Sequence, residues 1–341
     1  MRLHNDVSTG RGSLRSRLAA DLTSVTLRPL TTVIPMNRTG IRFSRRLVAS
    51  SLWAFGPPLR GSRVVRVEHA QVAPAGPTAR GEWVRAPRAE RDDAVVLYVH
   101  GSAYTICSAR THRGITTRLS ARTGLPVFAC DYRLAPSHRF PSAADDVRAA
   151  YEWLLGEGHD PARIVLAGDS AGGHLCVDLA LELIREGRPA PAALVAFSPV
   201  LDLTMSLAAA RERMRRDPMI SAAKAARMLD LYLAGHDPQA PRLRFSFDGA
   251  DRFPPTLVQA GAREMLAADA IELARGLTTA GADCRLEVWP DQMHVFQALP
   301  RVVPEAEQAL DAAAAFVDEQ LEIQRRRGAL TLVPPTISQE A

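Results

Sequence analysis

Lysine is almost absent from this chain. Of 42 basic residues only Lys224 is not an arginine, a bias of genome composition more than of mechanism. Long apolar runs are missing too. Nowhere do 18 apolar residues follow one another without a charge, and the nearest approach, Leu47 to Phe55, is far too short to span a bilayer, so no integral membrane contact is expected. Cysteine is sparse: Cys107, Cys130, Cys176 and Cys284 lie far apart, with no CxxC and no His-rich spacing around them. That excludes a metal site built on cysteine pairs and points to buried, reduced thiols in a cytoplasmic protein. The opening MRLHNDVSTGRGSLR carries charges with no 7–15-residue apolar stretch after them, unlike a secretory signal. No internal repeat of 20–50 residues is found.

What is present is ordinary globular material. The 341 residues are 47% hydrophobic and 23% charged, with a mean hydropathy of −0.07, which excludes collagen, low-complexity disorder and coiled coil. The length suits one large core with appendages. Charge is unevenly spread. Before Leu47 there are nine arginines against Asp6 and Asp21, a surplus of +7, whereas the whole chain is only +5, leaving the remainder at −2. A core without its own basic face is not expected to bind nucleic acid. The arm itself reads as a partly disordered, solvated leader.

From about Arg63 onward, short β-branched or apolar runs alternate with longer helical patterns, the signature of a mostly parallel sheet covered on both faces. Strands are predicted near 63–71, 81–86, 94–99, 126–131, 163–168, 192–197, 256–261 and 284–289. The first two alternate polar and apolar and read as an antiparallel edge pair, whereas AVVLYV and RIVLAG are continuous apolar runs suited to burial on both faces. Helices are predicted at about 111–123, 143–156, 171–186, 269–280 and 304–323. Two segments break the alternation: a helix-like stretch around 41–55 and the long insertion 203–248, which would sit above the carboxyl ends of the strands, where ligands bind.

The decisive segment is RIVLAGDSAGGHL, in which Gly168-Asp169-Ser170-Ala171-Gly172 stands between a predicted strand and a predicted helix. With 22 glycines and 19 serines in the chain, a bare G-x-S-x-G is expected by chance about 0.08 times, and the strand–turn–helix context sharpens it further. A serine on such a turn is pushed out of the sheet, and the helix N-terminus aims amides at developing negative charge. An ordinary Gly-rich phosphate-binding turn is disfavoured, because neither GxGxxG nor a Walker lysine is present.

A serine hydroxyl is a weak nucleophile until a base takes its proton, so a later histidine oriented by a carboxylate is required. Among nine histidines, His294 in WPDQMHVF stands just after the last predicted strand. His174, four residues after the serine, is read as a packing residue on the helix. For the acid, Glu264 in QAGAREML follows the strand at 256–261 by three residues; Asp269 should already be in the next helix, at or near its cap, and Asp291 follows the wrong strand. The order Ser170, Glu264, His294, separated by 94 and 30 residues, is that of the α/β-hydrolase triad. One oxyanion donor is the amide of Ala171, the residue after the nucleophile; others should come from the loop after the strand at 94–99, here His100-Gly101-Ser102-Ala103-Tyr104, with His100 bracing that loop.

These motifs together resemble the hormone-sensitive-lipase family of α/β-hydrolases, the bacterial family IV esterases, over about residues 90 to 320. The matching segments are His100-Gly101-Ser102-Ala103, Asp131-Tyr132-Arg133-Leu134-Ala135-Pro136 with Phe140-Pro141, and Gly168 to Gly172. They continue with Ser198-Pro199 and Asp202-Leu203-Thr204, Pro254-Pro255, Glu264 to Asp269, and His294-Val295-Phe296. The resemblance implies an α/β-hydrolase fold with a mostly parallel eight-stranded sheet, helices on both faces and a helical cap made from N-terminal helices plus the insertion. Residues 1–60 would be basic leader and cap helices, 61–202 and 249–323 the catalytic core, 203–248 the cap insertion and 324–341 a loose tail. It further implies esterase activity on short acyl chains, a small-molecule acyl ester as partner, no cofactor, no metal, and Ser102 and Ala103 as the remaining oxyanion amides, with Gly101 supporting the loop. A homodimer is left open.

Ser102 and Ala103 replace the family's usual glycines, so a positive φ at either would cost roughly 1–2 kcal/mol, and the Ser102 hydroxyl is an alternative extra donor. Three readings of function stand: a serine carboxylesterase, an amidase or N-deacylase with the same triad, and a non-catalytic ligand-binding protein on the same scaffold.

Overall fold

The computed structural model describes residues 4–7, 10–71 and 78–331. A nine-stranded sheet runs through it in the order β1-β9-β8-β7-β6-β4-β5-β3-β2. Its centre consists of β4 (Val95–Val99), β5 (Val127–Cys130), β6 (Ile164–Asp169), β7 (Ala193–Phe197) and β8 (Thr256–Gly261), every residue of which is buried. Strands of this kind have no solvent face, which is why their sequences run apolar without alternation. Along β4, Val95, Leu97 and Val99 enter one core and Val96 and Tyr98 the other, as the two-residue period of a strand dictates. On the first face lie α4 (Ser142–Gly156), α5 (Ala171–Arg185) and α8 (Ala267–Thr279), contributing residues such as Val147, Leu175 and Leu273. On the second lie α3 (Arg113–Thr123) and α9 (Glu305–Thr331), with Ile115, Leu119, Leu310 and Phe316. Burying each such side chain contributes about 1.5–3 kcal/mol.

The edge pair expected near 63–71 and 81–86 is β2 (Arg63–Gln71) antiparallel to β3 (Thr78–Arg85), and β3 is also antiparallel to β5. At the other edge β9 (Cys284–Trp289) pairs parallel to β8.

Three features depart from the sequence reading. The arm read as solvated carries a ninth strand, β1 (His4–Val7), paired parallel to β9, followed by the 20-residue helix α1 (Leu14–Val33). Ser13 caps α1, Glu305 accepts from the Ser13 amide at 2.5 Å, and Arg28 reaches Glu212 at 2.5 Å and the Asp217 carbonyl. These bonds fix the arm to the body. Next, α9 continues to Thr331, well into the segment 324–341 expected to be a loose tail; residues 332–341 of that segment lie outside the described residues. Last, the helix-like stretch around 41–55 begins earlier, as α2 (Arg38–Phe55). The segment 203–248 holds α6 (Ser206–Met214) and α7 (Ala222–Leu233).

Candidate active site

The sequence forces the chain to turn sharply between β6 and α5. Ser170 stands alone between them with φ 52° and ψ −119°, a sparsely populated region that persists only where surrounding structure holds it. Its amide donates to the Phe197 carbonyl at 2.9 Å, and its carbonyl accepts from His174 and Val200 at 3.2 Å each. Glycine is required on both sides. A Cβ on Gly172 would overlap the Val99 carbonyl, and one on Gly168 would lie 2.7 Å from the Gly172 backbone. The absent side chains let the turn and the start of α5 press against β4, while Ala171 opens the helix whose first amides have no intrahelical acceptor.

Across from the serine, His294 follows β9 and Glu264 follows β8, two strands that are neighbours in the sheet. His294 Nε2 lies 3.1 Å from Ser170 Oγ, and Nδ1 lies 2.5 Å from Glu264 Oε2. With Nδ1 protonated toward the carboxylate, Nε2 is free to accept the serine proton. Burial works to lower the imidazole's proton affinity, but the charge and hydrogen bond of Glu264, helped by Asp217 and Asp169, outweigh it and lift its pKa above the ordinary 6.5. Glu264 itself is buried, and its other oxygen accepts from the Gly261 amide at 2.6 Å and the Ser198 hydroxyl at 2.8 Å.

The loop after β4 is backbone-strained. Ser102, Ala103 and Tyr104 have φ of 83°, 50° and 57°, so the cost anticipated for non-glycine residues falls here. The Ser102 hydroxyl pairs with the Cys107 thiol at 2.9 Å; burial pushes that thiol up to about 11, so it stays neutral. Gly101 is the position that cannot carry a side chain: a Cβ there would clash with Asp169 and lie 2.9 Å from the Ser170 Cβ. His100 bonds the Gly101 carbonyl through Nδ1 at 3.0 Å and stacks on Tyr132 at 4.2 Å, and the Tyr132 hydroxyl donates to the His100 carbonyl at 2.8 Å. Burial depresses His100 to about 4, so it is a neutral bracket at physiological pH. All four cysteines are buried and free. His174 packs between Tyr104 and Phe245.

Asp269 lies in the first turn of α8, as expected, but its carboxylate serves a neighbouring loop rather than the helix end: fully buried, its Oδ1 accepts from the amides of Leu201 and Asp202, both at 2.9 Å. Burial raises its pKa to about 7. A folded value above the ordinary 3.8 means that its protonation supports the fold fully below about pH 4, and that this support is lost as pH rises through about 7. Asp269→Asn keeps a neutral acceptor for both amides, whereas Asp269→Ala strands them at about 1–3 kcal/mol each. Thermal melts from pH 4 to pH 8 should find the alanine variant much the less stable and the asparagine variant's midpoint flatter with pH than the wild type. Equal midpoints for the two variants would contradict this role.

Several residues of the site escaped the sequence reading. Ser198 bridges Glu264 to the Val295 amide, which it accepts at 3.0 Å. From the insertion, Arg211 donates to the carbonyls of Glu264 and Ala262 at 2.9 and 2.8 Å, and buried Asp217 accepts the Met265 amide at 2.8 Å. The lone lysine, Lys224, donates to the Ile34 carbonyl at the end of α1. Only Ser198 carried a signal, its place in a Ser-Pro pair after β7; the rest act across sequence separations that no local pattern reveals.

Ser102, Ala103, Ser170, Ala171 and His294 line one cavity of about 200 Å³, whose lining is overwhelmingly apolar. Its walls come from α1 (Leu27, Thr31), α2 (Ile41, Ser44, Val48) and α7 (Ala225, Met228, Leu229). A nucleophile hydrogen-bonded to an oriented base, at the floor of an apolar cavity, is equipped for acyl transfer.

Comparison with known proteins points the same way. The alpha/beta hydrolase fold family matches residues 96–298. The chain is similar to an acetyl-hydrolase of Streptomyces hygroscopicus, 39% identical over 237 residues, 69% of this chain and 78% of that one. It is similar to the carboxylesterase/phospholipase LipF of Mycobacterium tuberculosis, 33% identical over 331 residues, covering 92% of this chain and 83% of that one. A crystal structure of an esterase from the bacterial hormone-sensitive lipase family superposes with a TM-score of 0.79 at 35% identity, over 91% of this chain and 99% of that one.

Proposed function

This chain belongs to the hormone-sensitive-lipase family of α/β-hydrolases and is a carboxylic ester hydrolase; on that premise we propose that it cleaves short- to medium-chain acyl esters through an acyl-enzyme on Ser170. The observation that carries the reading is the unbroken chain from Ser170 Oγ through His294 to Glu264, at 3.1 and 2.5 Å, opening on the apolar cavity. Ser170 Oγ attacks the acyl carbon while His294 Nε2 takes its proton, and the carbonyl π electrons move to oxygen. That oxyanion is met by the amides of Ser102, Ala103 and Ala171. Collapse expels the alcohol, which leaves with the proton from His294; water then repeats the sequence on the acyl-enzyme and frees the acid. Glu264 holds the imidazole in the working tautomer and stabilises the imidazolium.

The volume of the cavity supports a short chain. A cavity of about 200 Å³ is smaller than the roughly 300–1,000 Å³ usual for drug-sized ligands, which favours a short acyl group. With p-nitrophenyl esters from acetate to palmitate and an aryl amide alongside, kcat/KM should peak at roughly four to eight carbons and be far lower for the amide. A steady rise to palmitate, or an amide turned over as fast as the esters, would overturn the assignment.

A further inference from the structure

Nine of the twelve large apolar side chains exposed among the described residues are on α1 and α2. On α1, Leu14, Leu18, Leu22, Val25 and Val33 are 58–74% exposed. At 100° per residue they fall within one arc of about 100°. The opposite arc holds the buried Ser16 and Ala20, with the buried Arg28 on its flank. On α2 the exposed face carries Arg38, Arg42, Phe43, Arg46 and Trp53, while Ile41, Ser44 and Val48 face the cavity. Arg38, Arg42 and Arg46 meet no carboxylate among the described residues. Both helices wall the acyl cavity with their inner faces, so these outward faces form the outer surface of that wall.

A contiguous exposed apolar stripe marks an interaction surface. Its occupant is decided by charge. A second copy of the chain would bring the same unpaired arginines to a symmetric contact, where like charges repel. The donors within the apolar arc of α1, Arg15 and Thr32, are already bonded to the carbonyls of Arg301 and Arg28, so the arc presents a nucleic acid with aliphatic side chains it has no means to contact favourably. An anionic lipid surface suits both parts: arginines beside aromatic and aliphatic side chains on an outward helix face are the composition of helices that lie in a membrane interface. No helix among the described residues is long and apolar enough to cross a membrane, so the contact is peripheral. We propose that the outward faces of α1 and α2 dock on an anionic phospholipid surface. The α1 stripe, Phe43 and Trp53 enter the headgroup boundary and Arg38, Arg42 and Arg46 meet the phosphates, which sets the wall of the acyl cavity against a source of amphiphilic esters.

The test is sedimentation of the full chain with vesicles of phosphatidylcholine alone and of phosphatidylcholine mixed with phosphatidylglycerol. Binding should be about tenfold or more tighter on the anionic vesicles and weaken with salt, with a blue shift of tryptophan emission that Trp53→Phe abolishes. Leu18→Asp with Val25→Asp, and separately Arg42→Glu with Arg46→Glu, should each lower binding about tenfold or more and leave hydrolysis of a water-soluble ester unchanged, which also reports that the variants fold. Equal binding to both vesicle types, binding that survives both double variants, or a lipid-free dimer that Leu18→Asp with Val25→Asp dissociates would each overturn the proposal.

Discussion

Replacing Ser170 by alanine is expected to remove about 10⁴-fold or more of the esterase activity while leaving the fold intact. The hydroxyl's recorded partner is His294 Nε2 at 3.1 Å, so its removal breaks no other bond of the core. The elbow is held by backbone instead: the Ser170 amide on Phe197 and its carbonyl on His174 and Val200, all kept by alanine. Alanine also keeps the Cβ, so the strained φ of 52° is neither relieved nor worsened. His294 retains Glu264 and stays oriented. What disappears is the atom that becomes bonded to the acyl carbon, and binding plus oxyanion stabilisation alone then set the residual rate. Purified variant and wild type should share a thermal midpoint and differ in kcat by that factor. Retention of more than a tenth of wild-type activity would move the nucleophile elsewhere.

How far the sequence carried this site depends on where each residue's constraint lies. The strands β4 to β8 were readable because burial on both faces writes itself as unbroken apolar runs, and the elbow because two glycines must flank a serine in a strained turn. Glu264 and His294 were readable because each follows a recognisable strand closely. Of the N-terminal elements α2 was readable, β1 and α1 were not. β1 is HNDV, a polar edge strand whose identity comes from pairing with β9 rather than from its side chains. In α1 the apolar stripe faces outward and an internal proline, Pro29, interrupts the pattern, so its periodicity does not read as a core-facing helix. The last helix, expected to end near residue 323, runs on through Gly328 to Thr331. Arg211 and Asp217 grip the loop of Glu264 from about 50 residues away, a contact that only the folded chain creates. The insertion is therefore more than a cover: it helps to fix the backbone that carries the acid.

The acid itself gives the second large effect. Glu264→Gln is expected to lower kcat by about 10³–10⁴-fold, because glutamine keeps the size of the side chain and removes what the imidazole needs. Glu264 accepts on both oxygens, from Gly261 and Ser198 on one and from His294 Nδ1 on the other. An amide offers one acceptor and one donor. The Gly261 amide can only donate, so the carbonyl oxygen must face it and the NH₂ is turned toward His294. Nδ1 then becomes the acceptor and the proton moves to Nε2, the wrong tautomer to receive the proton of Ser170. The charge is lost as well, and with it the main influence that lifts His294 above 6.5. The acid limb of the remaining kcat/KM profile, which reports the free imidazole, should therefore shift to lower pH. The thermal midpoint should change little, since the buried site keeps its volume and most of its hydrogen bonds. Asp269→Asn, by contrast, alters a carboxyl whose recorded bonds run to Leu201 and Asp202, and should change kcat by less than about tenfold. Measuring kcat, its pH profile and the thermal midpoint for both variants separates the two carboxyls. Loss of activity in Asp269→Asn with Glu264→Gln active, or an acid limb that stays in place in Glu264→Gln, would remove Glu264 from its place behind His294.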